Sequence, residues 1–200
     1  MHLEAVNTLI PDKVRTETKI GFLFNHDAPH QVGHIAPIIN HLIDIANIKV
    51  IAMATSEEQL DRLRDIVGSQ DNVRFEIMKL EVPVYLRNIF RKLNMLAPIQ
   101  RLYILKRYIS MFQTLDCLVV SEMTSSILKT YFGLTTPLVI LPHGAGDRAI
   151  GYKKVISQYD YVLLSGTKVR DRMIETGLIQ AENHCIVGYP KFDLIKSRKQ

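Results

Sequence analysis

The sequence predicts an α/β fold with a parallel sheet, on three observations. Apolar, β-branched runs recur along the 200 residues, helical patterns fill the intervals between them, and the spacings are short. Several of the runs are apolar at nearly every position, as burial on both faces of a parallel sheet requires. Repeated βαβ units of this kind build a Rossmann-like sheet flanked by helices. Hydrophobic residues make up 47% of the chain, enough to bury a real core within one large domain.

Seven strands are expected, at 19–25 (KIGFLFN), 48–55 (IKVIAMAT), 73–80 (VRFEIMKL), 116–121 (DCLVVS), 137–142 (PLVILP), 159–165 (YDYVLLS) and 184–188 (HCIVG). Between the first two, Ile35, Ile38, Ile39, Leu42, Ile43 and Ala46 fall on one stripe. That spacing predicts an amphipathic helix over Ile35 to Ala46 with Pro37 in its first turn, where a missing amide proton costs little. Ser56 followed by Gln59 is a capping-box pattern that opens the next helix, with Gly68 near its stop. Thr167 opens another, and Gly177 is its expected terminator. Residues 1–18 are read as an N-terminal extension, 19–190 as the domain, and 191–200 as the start of a linker.

The composition narrows the function classes. No stretch of about 18 apolar residues occurs, and the first residues lack a secretory pattern, so the expected location is cytoplasmic. Cys117 and Cys185 each stand near the start of a strand and are expected to be reduced thiols, with neither a disulfide framework nor a zinc site. The formal charge of +5 is concentrated: from Val82 to Leu115 there are six basic residues (Arg87, Arg91, Lys92, Arg101, Lys106, Arg107) and no acidic one. An electrostatic partner would therefore meet one segment of the chain. Cations there alternate with Ile, Leu, Phe, Tyr and Met and are interrupted by Pro98, a pattern that suits two short helices lying on an anionic membrane face. It equally suits two helices that cover the sheet with their charges in water. No RNA or DNA motif accompanies the charge, and no nucleic-acid partner is expected.

Right-handed crossovers bring every strand-to-helix loop to one edge of a parallel sheet, where ligands bind in this fold class. The loop after the first strand, NHDAPHQVGHIAP, spaces His26, His30 and His34 by four, but Pro29 and Gly33 interrupt the helix that would align them on a metal. The better reading is that Gly33 lets backbone approach a ligand and opens a helix whose amino end favours anions. A glycine needed only for the turn explains it as well. The dinucleotide fingerprint GxGxxG is absent here. The fifth strand runs into LPHGAGDR, which gathers His143, Gly144, Gly146, Asp147 and Arg148. An imidazole titrates near neutrality and can take a proton from an attacking hydroxyl, the glycines free amides for an anion, and the guanidinium grips phosphate or carboxylate. Ser165 and Gly166 resemble a small phosphate cradle, although helix capping accounts for them too.

Taken together, FLFNHDAPHQVGHIAPIINHL, VVSEMTSSIL, LVILPHGAGDR, YDYVLLSGTKVRDRMIETG and IVGYPKFDLI resemble the amino-terminal half of a GT-B type transferase. The CDP-glycerol glycerophosphotransferases of teichoic acid synthesis are nearest, through His143-Gly144, Ser165-Gly166 and the Gly188 to Asp193 stretch. UDP-sugar 2-epimerases share the architecture. The resemblance implies that His143 is the base for an acceptor hydroxyl and that His26, Gly33, His34, Gly144, Asp147, Arg148, Ser165 and Gly166 hold the small-molecule or polymer acceptor. It implies a nucleotide-diphosphate donor, CDP-glycerol or a UDP-sugar, held mostly by a second Rossmann domain after the crossing at Gly188 to Asp193, and work at the inner face of a membrane. Ala145, Gly146, Asp147 and Arg148 stand where the family has Thr-Pro and a nearby Lys. The competing expectation is a stand-alone Rossmann or flavodoxin-like module that binds an anionic ligand without chemistry.

Overall fold

A computed structural model describes residues 17–25, 29–68, 73–86, 89, 99–142 and 152–196. Among them seven strands form one sheet in the order β3-β2-β1-β4-β5-β6-β7. They are β1 (Thr18–Phe24), β2 (Ile48–Ala54), β3 (Phe75–Lys79), β4 (Cys117–Val120), β5 (Leu138–Ile140), β6 (Tyr161–Leu164) and β7 (His184–Ile186). Every pairing is parallel. All seven lie inside or within one residue of the expected stretches, because a fully apolar run has no exposed face and can only sit within such a sheet.

Side-chain alternation splits the core between the two faces of the sheet. Leu23, Met53, Leu118, Val120, Ile140 and Leu164 join one cluster; Phe22, Phe24, Val50, Ala52, Ala54 and Val119 join the other. Gly21 is required by this packing. A Cβ there would stand 2.5 Å from Leu115 Cδ1 and 2.9 Å from Met53 Cε, both inside the core.

The longer helices are α1 (Val32–Leu42), α2 (Glu57–Val67), α3 (Ile99–Arg107) and α4 (Thr167–Glu175). The capping box at α2 forms as expected: the Gln59 amide donates to Ser56 Oγ at 3.3 Å, and the Ser56 amide to Gln59 Oε1 at 3.2 Å. Gly68 and Gly177 follow α2 and α4 with φ of 83° and 67°, a left-handed region where only glycine is unstrained.

The first helix departs from expectation. It begins at Val32 rather than Ile35, ends at Leu42 rather than Ala46, and holds Pro37 in its interior. A 3-10 turn at Pro29–Gln31 feeds it early, and the burial of Val32, Ile35, Ala36 and Ile39 offsets the backbone bond that Pro37 removes. Asn47, with φ of 66°, reverses the chain into β2.

Both cysteines are free thiols. Burial, with the Asp160 carboxylate nearby, pushes Cys117 up to about 12, which leaves it inert. Cys185 is half-buried on the outermost strand. No helix among the described residues is long and apolar enough to cross a membrane.

Replacing Gly21 by Val should lower stability by about 1–3 kcal/mol through overpacking. Urea unfolding checks this, and an unchanged midpoint would contradict the packing described.

Candidate functional site

The order of the strands locates a crevice. The chain builds outward from β1 through β2 to β3, returns to lay β4 on the other side of β1, and builds outward again to β7. The gap between β1 and β4 is therefore the point where the winding reverses, and ligands in open α/β sheets bind outside the carboxyl ends of the strands there. Asn25 follows β1 at that edge, and Ser121 and Glu122 follow β4.

These residues are bonded across the gap. The Asn25 amide donates to Glu122 Oε1 at 3.0 Å, and Ser121 Oγ donates to Oε2 at 3.4 Å. Tyr159, from the turn before β6, donates its hydroxyl to the carbonyls of Glu122 and Met123, each at 3.0 Å. That fixes the backbone carrying the carboxyl group. Asn25, Ser121, Glu122 and Ser125 are all buried, with Glu122 only 3% exposed. Burial pushes the Glu122 carboxyl up to about 7; the Asn25 and Ser121 hydrogen bonds and the Arg101 charge pull the other way without cancelling it. An acid in this condition can both give and accept a proton near neutral pH.

Three buried polar atoms near this edge have no hydrogen-bond partner among the described residues: Asn25 Oδ1, Ser125 Oγ and Gln31 Oε1. Ser125 lies in the 3-10 turn Met123–Ser126 after β4, and Gln31 in the turn before α1. Buried polar groups are almost always paired, so these three atoms are unfilled hydrogen-bonding capacity at the carboxyl edge of β1 and β4. The fourth such atom, Asn40 Oδ1, belongs to a side chain that joins α1 to the end of α2.

Of the residues singled out from sequence, Gly33 and His34 occupy the first turn of α1, and both are buried. There the approaching group is the chain itself. Tyr189 Oη lies 2.9 Å from His34 Nδ1, Phe192 packs edge-on to Tyr189 at 5.1 Å, and a Cβ on Gly33 would stand 3.3 Å from Leu194 Cδ1. The stretch read as the start of a linker thus forms a 3-10 turn, Pro190–Phe192, and a short helix, Asp193–Lys196, of which the described part packs on α1.

Ser165 and Gly166 follow β6 on the same edge, three strands from β1, about 14 Å at the usual spacing. Gly166 caps α4 in an extended conformation with open space around it. His26, His143, Gly144, Asp147 and Arg148 lie outside the described residues, as do Arg87, Arg91 and Lys92. The last residue of β5 is Ile140, three positions before His143 in sequence, and β5 lies beside β4 in the sheet. Lys106 and Arg107 are exposed at the end of α3, whereas Arg101 is half-buried and its charge reaches Glu122. Among the described residues no three His, Cys, Asp or Glu side chains are grouped to hold a metal.

Asn25, Gln31, Ser125 and Tyr159 were not singled out from the sequence. Asn25 and Glu122 carry a usable signal, a polar residue ending an apolar strand; the others have none without the fold.

No protein-family model matches the chain, and no curated protein matches its sequence. Solved structures do. UDP-GlcNAc 2-epimerase from Neisseria meningitidis, bound to UDP-GlcNAc, is similar over 91% of this chain and 50% of its own, at 15% identity and a TM-score of 0.62. The S. aureus MnaA–UDP structure is similar over 90% of this chain and 46% of its own, at 13% identity and a TM-score of 0.58. Anabaena Alr3699/HepE, in complex with UDP and glucose, is similar over 86% and 45%, at 14% identity and a TM-score of 0.54. The chain spans about half the length of these structures. At such identities the likeness shows the fold, the Rossmann-like α/β layers of the GT-B type.

The raised acid makes stability depend on pH with a definite sign. Between the ordinary value of 4.5 and about 7 the native state holds a proton that the unfolded state has released, so stability falls as pH rises through that window. Above it the loss is complete, roughly 3 kcal/mol. Glu122→Gln keeps an acceptor for the Asn25 amide and should flatten this part of the profile, stabilising the protein more at pH 8 than at pH 5. Urea midpoints at the two pH values test it, and a slope that survives the substitution would assign the effect elsewhere.

Proposed function

We propose that the chain is one Rossmann-like half of an enzyme acting on a nucleotide-diphosphate sugar or polyol, with the transferred group or its acceptor seated in the β1–β4 crevice. The observation that carries this reading is the Glu122 carboxyl, buried at the switch point and held near neutrality among neutral polar side chains. Sugars and glycerol present several hydroxyls on a small frame. Asn25 Oδ1, Gln31 Oε1 and Ser125 Oγ offer acceptors to them, and Glu122 moves a proton to or from one of them.

His143 is the base of this reading and Arg148 its anion grip, both by the resemblance. They follow β5 in sequence, next to the strand that carries Glu122. The neighbours solved with UDP-GlcNAc, with UDP, and with UDP and glucose support a UDP-sugar as donor. The Gly188 to Asp193 stretch supports CDP-glycerol, the second reading, with cell-envelope polymer synthesis as its setting.

Amide chemical shifts of the chain, followed during titration with UDP-GlcNAc, CDP-glycerol, N-acetylglucosamine and glycerol phosphate, test the proposal. The expected result is weak, millimolar binding of the sugar or polyol part that first moves the Asn25, Ser121, Glu122 and Ser125 amides. Which donor moves them chooses between the two readings. Shifts confined to other loops, or binding of inorganic phosphate alone, would favour a simple anion-binding module and overturn it.

A further inference from the structure

The first turn of α1 is weakly held by its own sequence. No side chain caps it, in contrast to the complete capping box of α2. Pro37 has no amide proton to give, so the helical bond that would end on the Gly33 carbonyl, four residues earlier, does not form. The turn is thus joined to the rest of α1 by fewer bonds than a regular helix has, and it is the end that carries Gln31. Gln31 has helical φ and ψ of −72° and −22° and stands three residues before His34, so the two share a face. Both are buried, and Gln31 Oε1 is one of the unfilled atoms at the crevice edge.

The hold on this turn comes from the other end of the chain. After β7, residues 189–194 lie against it as a strap. Tyr189 Oη is 2.9 Å from His34 Nδ1, and the two rings meet edge to face with their centres 5.6 Å apart. Phe192 packs on Tyr189 in turn, and Pro190 is buried. Leu194 Cδ1 lies where a Cβ on Gly33 would be 3.3 Å away, closer than an ordinary contact, so the bare backbone of Gly33 is what admits it. Beyond Pro37 the helix is fixed differently, by Ile39 and Ile43 in the core.

We propose that Tyr189 and Leu194 are positioning residues for the β1–β4 crevice: by clamping His34 and Gly33 they set where Gln31 stands in its wall. Displacement of the strap moves Gln31 while α1 beyond Pro37 stays in place, because the two parts of the helix are anchored to different partners. The crevice wall is in this way tied to a segment of the chain more than 150 residues away from it. This inference needs the crevice but not the nucleotide-sugar reading, and it survives the failure of that reading.

Amide hydrogen exchange of the full chain, followed by nuclear magnetic resonance, tests it. Tyr189→Phe keeps the ring and removes one hydrogen bond, so exchange at residues 31–35 should quicken by about threefold to tenfold. Exchange at Leu42 and Ile43, in the same helix, should not change. Leu194→Ala should give the same pattern through Gly33, and in both variants the side-chain amide resonances of Gln31 should move. A contact that only adds stability would instead quicken exchange equally on both sides of Pro37, and that result overturns the proposal. So does a change confined to residues 189–194 that leaves the Gln31 resonances where they were.

Discussion

Ninety-seven residues separate Asn25 from Glu122, and a single 3.0 Å hydrogen bond closes the carboxyl ends of β1 and β4 over the point where the sheet reverses its winding. What is distinctive about this edge depends on that contact. A backbone amide leaving the central strand can satisfy a carboxyl oxygen whether or not the acid holds its proton, so the group is tolerated in a dry place without being forced to ionise. Tyr159 completes the arrangement by bonding the Glu122 carbonyl, so the backbone that carries the acid is held from a third segment. An acid that is buried, oriented and near neutrality is expensive for a fold to keep, and such groups gather where protons move.

The architecture was legible in sequence because its signals are local. Apolar runs such as CLVV and FLF admit no exposed face, and the Ser56–Gln59 box and the glycines at 68 and 177 act within a few residues of themselves. Pro37 misled for the same reason. A local rule sets proline at the start of a helix, but Val32, Ile35 and Ile39 bury enough surface to carry the helix through it. The candidate site was legible only in part. That Glu122 ends a strand can be read from VVSE; that the Asn25 amide reaches it cannot, since no periodicity reports a contact between strands so distant in sequence. His143, the most specific local signal, lies outside the described residues.

Gly33 shows how one residue serves two readings. In sequence it invites a ligand to the amino end of α1, and in the structure Leu194 stands against it while Tyr189 bonds His34, 155 residues away. The contact with Leu194 comes from a residue distant in sequence, which the loop itself does not report. Arg101 likewise belongs by sequence to the basic segment and by position to the crevice, where it is one of the few groups that favour the charged form of Glu122. Among the described residues the segment thus divides, with Arg101 half-buried and acting on Glu122, and Lys106 and Arg107 exposed.

The central claim is that Glu122 carries its proton close to neutral pH inside the folded protein. A direct titration of its side-chain carboxyl carbon by nuclear magnetic resonance, with Glu122→Gln to assign the signal, measures this without reference to stability or ligand. The account predicts a midpoint of about 7. A midpoint at the ordinary 4.5 would mean that the crevice is wet enough to ionise the acid freely, and the functional reading built on it would fall.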